Sequence, residues 1–133
     1  MPARSVFEYA IVRVVPRVER EEFINAGVIV FSRTLNFLGA RVELDTRRLA
    51  ALAPDLDVAA VQEQLQHIPL ICAGGPAAGP LGLLPAAERF RWLVSPRSTV
   101  IQTSPVHSGI CDDPHALLDK LMATMVRQPM NVG

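Results

Sequence analysis

Between Phe7 and Val15 the chain runs FEYAIVRVV, and this stretch is apolar on both sides of an extended backbone. Phe7, Tyr9, Ile11 and Val15 fall on one side, and Ala10, Val12 and Val14 on the other. A strand with one wet face would alternate apolar with polar residues, so the pattern predicts a central strand of a sheet. Pro16 has no N–H to give and ends its pairing.

The elements that follow are read against this strand. RVEREEFIN, Arg17–Asn25, is a polar connection with room for one helical turn before Gly27, and Val28–Phe31 is a second strand. Arg33–Asn36 makes a hairpin connection, after which Ala40, Val42 and Leu44 alternate with Arg41 and Glu43, the pattern of a third strand with one wet face. A short turn over Thr46–Leu52 leads to a helix capped by Asp57, whose apolar stripe is Val58, Val61, Leu65 and Ile68.

Ile68–Ala87 carries no formal charge and could be mistaken for a membrane span. Its Pro69, Pro76, Pro80 and Pro85, together with Gly74, Gly75, Gly79 and Gly82, would cost a helix backbone bonds that lipid cannot replace, so a loop is predicted. Pro85 then opens a helix with Ala86, Phe90, Leu93 and Val94 on one face, stopped by Pro96. Ser98–Thr103 is β-branched and reads as a fourth strand returning beside the first, and Asp113–Pro114 starts a C-terminal helix that buries Leu117, Leu118, Leu121, Met122 and Met125. The order β-β-β-α-α-β-α predicts an α+β fold: a mostly antiparallel four-stranded sheet with helices packed on one face, in a single domain over residues 1–133.

Composition bears on partners. Basic and acidic residues balance at 13 each, so the molecule as a whole has no electrostatic pull toward nucleic acid or an anionic membrane. Cys72 and Cys111 form no CxxC pair and no disulfide framework, and the N-terminal run lacks a leader pattern, so a reduced, cytoplasmic protein is expected.

Twelve of the thirteen basic residues are arginine. Codon bias is one source of such a set, and recognition of phosphate or carboxylate by paired guanidinium donors is another. If the first and fourth strands are neighbours, Arg13, Arg17 and Arg20 at the end of one and Arg89, Arg91 and Arg97 around the other would line an anion pocket. In the opposing reading Glu19, Glu21, Glu22 and Glu88 neutralise them in surface ion pairs. Arg13 is the leading candidate, because it shares a strand face with Tyr9 and Ile11, where an unpaired charge is costly.

Other constellations are thinner. Glu21, Glu22 and Asn25 offer oxygen ligands but no third carboxylate, and capping and ion pairing explain them, so no metal or other cofactor is expected. His107, Cys111 and His115 recur every four residues, but Gly109 and Pro114 break any helix that would stack them. With Ser98, Ser104 or Ser108 they lack a nucleophile elbow. His107 remains a candidate proton carrier, as do Glu21 and Glu22. GGPAAGP at 74–80 lacks the G-K-[ST] ending of a phosphate loop; a connection this long serves as a mobile segment or a binding surface, and Trp92, the sole tryptophan, would suit a contact rim.

The segments EYAIVRVVPRVEREEFINAGVIVF (8–31), LNFLGARVELD (35–45) and ERFRWLVSPRSTVIQTSPVHSG (88–109), with the capped C-terminal helix, resemble the bacterial domain of unknown function family 3037 over nearly the whole chain. The resemblance implies no activity. It does imply a partner: genes of similar proteins lie beside those of kinases similar to the HipA toxin. The expectation is therefore a non-catalytic binding or regulatory module, partner of a HipA-like kinase, with an arginine-lined anion pocket. The alternative is an enzyme acting on a phosphorylated or nucleic-acid substrate, with the oligomeric state open in either case.

Overall fold

The computed structural model describes residues 5–97 and 99–127. Strand β1 (Ser5–Val14) pairs antiparallel with β2 (Ile24–Ser32), and β2 with β3 (Phe37–Val42). On its other edge β1 pairs with two short strands, β4 (Ile101–Thr103) alongside Val12–Val14 and β5 (His107–Cys111) alongside Ser5–Tyr9. The α+β class, the antiparallel sheet and the return of the fourth strand beside the first are as the sequence led one to expect. The sheet is open and, among the described residues, has five strands rather than four.

The fifth strand, HSGIC, is poor in strand-forming residues, Ile110 being its one β-branched side chain. It forms because β1 still has backbone groups to satisfy beyond β4, and because Gly109 gives the Phe7 ring room to lie flat: a Cβ there would stand 2.8 Å from Phe7 Cζ. Ser104 closes the gap between β4 and β5. Its N–H donates to the Ile11 carbonyl at 2.8 Å, and its buried hydroxyl accepts from the Ile11 N–H at 2.9 Å, so the β1 ladder stays satisfied through the kink.

Both faces of β1 are covered, as its two-sided apolar pattern requires. Val12 and Val14 pack with Leu49 of α1 (Thr46–Leu52), Val61, Leu65 and Ile68 of α2 (Val58–Ala73), and Phe90 and Leu93 of α3 (Ala86–Leu93). Phe7 and Ile11 pack with Leu118 and Leu121 of α4 (Pro114–Leu121) and with Met122 and Val126 of the π-helical turn that follows. The C-terminal helix thus occupies the second face, where one helical layer had been expected. A bulge in β2 makes the packing consistent. Val12 opposes Gly27 and Arg13 opposes Asn25, so Ala26 is extra, and Ile24 and Ala26 return to the face of Ile29 and Phe31.

Asp45, Asp57 and Asp113 each cap a helix by accepting a backbone N–H, from Arg48, Ala60 and His115. Helix α2 does not stop at Ile68. It runs through Pro69 to Ala73, because Ile71 and Cys72 continue its buried stripe and that burial outweighs one missing N–H. The remainder of the expected loop is ordered. Two 3-10 turns over Pro76–Leu83 fold back so closely that Gly75 N–H reaches the Gly82 carbonyl at 2.9 Å, and any Cβ on Gly82 would collide with the Gly75 oxygen. No helix among the described residues is long and apolar enough to cross a membrane.

Candidate functional site

The structure distributes the six candidate arginines over separate surroundings. Two of them finish helices. Arg89 donates from Nη1 to the carbonyls of Ile71 and Cys72 at 2.8 and 2.7 Å, and from Nε to that of Leu84 at 2.9 Å. The first two are end-of-helix carbonyls of α2, which have no partner within the helix and lie at its negative pole. Arg97 does the same for α3, donating to the carbonyls of Trp92 and Leu93 while its guanidinium carbon stacks 4.2 Å from the Trp92 ring centre. Glu88 does not pair with either of them among the described residues.

Arg17 and Arg20 border a separate cavity of about 300 Å³ with Pro16, Ala51 and Leu52. There Arg20 is ion-paired with Glu22, and both are exposed enough for solvent to screen the pair. Glu21 holds a left-handed backbone (φ 55°) at the end of the 3-10 turn Val18–Arg20, which leaves it a capping role. Arg91 is exposed on α3.

Arg13 differs from all of these. It stands on β1 on the side opposite Val12 and Val14, in a polar row across three strands, with Asn25 of β2 on one flank and Gln102 of β4 on the other. Phe23 covers it, the guanidinium carbon lying 4.2 Å from the ring centre. Arg13 is partly buried, its Nε has no hydrogen-bond partner, and among the described residues no carboxylate pairs with it. The Asn25 amide nitrogen donates to the Met125 carbonyl at 2.9 Å, which fixes the amide orientation and leaves its buried Oδ1 unpartnered. A buried donor and a buried acceptor therefore stand idle on facing positions of adjacent strands. Such groups ordinarily find partners, since each idle one costs about 1–3 kcal/mol.

The remaining candidates lie apart. His107, exposed on β5, stacks on Tyr9 with ring centres 5.2 Å apart. Tyr9 is four residues from Arg13 along β1, or about 13 Å. His115 is on α4 against Phe37, so it does not line up with His107 and Cys111 on one helix. Among the described residues no group of three His, Cys, Asp or Glu could hold a metal ion. Ser104 is committed to Ile11, Ser108 is exposed in β5, and Ser98 lies outside the described residues. Burial pushes the Cys72 thiol up to about 12, against a partial pull from the Arg89 guanidinium, which leaves it a protonated core residue at neutral pH.

Sequence reasoning missed a larger feature. A cavity of about 580 Å³ opens between α2, the Pro76–Leu83 turns, the end of α3 and β4. Ile68, Ile71, Leu81, Leu93 and Ile101 are among its walls, and its polar groups include Gln64, His67, Arg97 and Gln102. The signal was present in part: Trp92 suits either a contact rim or helical packing, and the glycine-proline stretch either a mobile segment or a binding surface, but Gln64 and His67, one turn apart on α2, look like ordinary solvated helix positions.

No curated protein and no solved structure matches the chain. The family model described as protein of unknown function, DUF3037, matches residues 9–126, and the chain belongs to that family.

Proposed function

We propose that this protein is a non-catalytic binding or regulatory module that holds an oxyanion at Arg13. The observation that carries the reading is the partly buried guanidinium with an idle Nε and, among the described residues, no carboxylate partner, set beside the idle Oδ1 of Asn25. A buried N–H of a cation left without an acceptor is costly, and a bound anion removes that cost. The paired donor and acceptor narrow the anion further. One oxygen of the ligand accepts from Arg13 while a hydroxyl donates to Asn25, which describes a protonated phosphate. The ring of Phe23 shields the contact from water on one side.

The oxyanion site is thus placed at Arg13 rather than at a pocket shared by all six arginines, since Arg89 is engaged by helix carbonyls, Arg20 by Glu22, and Arg97 stands apart at the end of α3. A phosphorylated side chain presented by a protein partner has the same chemistry, and a HipA-like kinase, implied by the family resemblance, is a partner able to carry one.

Thermal unfolding with added phosphate, against chloride at matched ionic strength, tests the reading. At one hundred times its dissociation constant, phosphate should stabilise the wild type by about 2.7 kcal/mol. Arg13→Gln should abolish the shift. A wild type indifferent to phosphate, or an equal shift in Arg13→Gln, rules the reading out.

A further inference from the structure

We infer that the cavity between α2, α3 and β4 is a second ligand site, for a small amphipathic monocarboxylate. Its apolar walls lie on the face of Val12 and Val14, across β1 from Arg13, and Gln102, the β4 neighbour of Arg13, also lines it. The volume, about 580 Å³, is that of a small-molecule pocket. The interior is apolar, formed by Ile68, Ile71, Leu81, Leu93 and Ile101, and its mouth keeps Leu70 and Trp92 in contact with solvent, at 44% and 42% exposure. Large apolar groups left open to water around a concave wall mark a site for an apolar body.

Charge decides the head group. Among the described residues no Asp or Glu lines the cavity, whereas Arg97 does, with His67 among the other polar lining groups. Capping α3 uses two of the five N–H groups of Arg97, so three remain for a ligand. Stacking on Trp92 holds the guanidinium flat at the rim, which favours a planar carboxylate meeting it edge to edge. The walls are built rather than loose, since the Pro76–Leu83 segment is tied by the Gly75–Gly82 bond.

Trp92 is the sole tryptophan, so its fluorescence reports on this cavity directly. Decanoate, titrated below its micellar range, should change the emission saturably, with decanol at least tenfold weaker and decylamine weaker still. Arg97→Gln should bring decanoate down to the level of decanol. Because that change also removes a helix cap, His67→Gln, at an exposed position of α2, serves as a second variant and should weaken decanoate alone by a smaller factor. Arg13→Gln should leave decanoate binding intact, which separates this site from the oxyanion site. An emission that ignores decanoate, or decanol binding as tightly as decanoate to the wild type, would overturn the inference.

Discussion

Replacing Arg89 with methionine separates the structural account of that arginine from the ligand account. Methionine keeps the apolar stem but removes three hydrogen bonds, to Ile71, Cys72 and Leu84. Ile71 and Cys72 are 8% and 5% exposed, so water reaches their orphaned carbonyls poorly. At about 1 kcal/mol net per bond, the loss should come to about 3 kcal/mol. For a domain of this length that corresponds to a fall in Tm of roughly 12 °C, at about 4 °C per kcal/mol. Lysine, which keeps the charge at the negative pole of α2 but not the fork, should recover about a third of the loss. Urea unfolding followed by circular dichroism measures both variants, with the slope monitored to confirm that the unfolded state is unchanged. Were Arg89 instead an anion-binding group awaiting its ligand, its removal would relieve an uncompensated charge and leave the free protein as stable or more so. A change below about 0.5 kcal/mol for Arg89→Met would therefore refute the capping argument.

Two further substitutions bear on the fold. Ser104→Ala strands the Ile11 N–H in the β4–β5 gap and should cost about 1–3 kcal/mol, whereas exposed Ser108→Ala should stay within about 0.5 kcal/mol; equal effects would show that the hydroxyl is not what closes the ladder. Cys72 makes a prediction in pH. Its thiol rises from 9.0 to about 12 on burial, so the unfolded chain releases this proton near pH 9 while the folded protein retains it. Stability from this group is therefore intact below pH 9 and declines above it by up to about 1.4 kcal/mol per pH unit. Cys72→Ala should flatten the alkaline limb of stability against pH relative to wild type, and parallel limbs would contradict the burial.

How much of this could be read from residues alone differs by element. The two-sided apolar pattern of β1 identified the central strand, and it also held the information that helices must cover both faces, because Phe7 and Ile11 need partners as much as Val12 and Val14 do. Helix starts were legible at Asp57 and Asp113 because capping is local. Strand β5 was not, since HSGIC owes its conformation to the free edge of β1 and to the Phe7 ring over Gly109. Pro69 argued for a break in α2 that the burial of Ile71 and Cys72 overrides.

The arginine set shows the same division. Arg13 could be singled out because strand alternation alone places it on an apolar face. The duties of Arg89 and Arg97 could not, because the carbonyls that engage them are left open only where α2 ends beside α3 and where α3 itself ends at Leu93. The 580 Å³ cavity assembles from four successive elements only once they fold against one another, and neither Gln64 nor His67 carries a local mark of it.

The claim that Arg13 is the ligand-bearing arginine is tested most directly by the side-chain Nε–H resonances in a nitrogen-edited NMR titration with phosphate. The account predicts that one signal, missing from Arg13→Lys, moves progressively to saturation while those of Arg89 and Arg97 stay in place. A stationary Arg13 signal, or equal movement of all three, would contradict it.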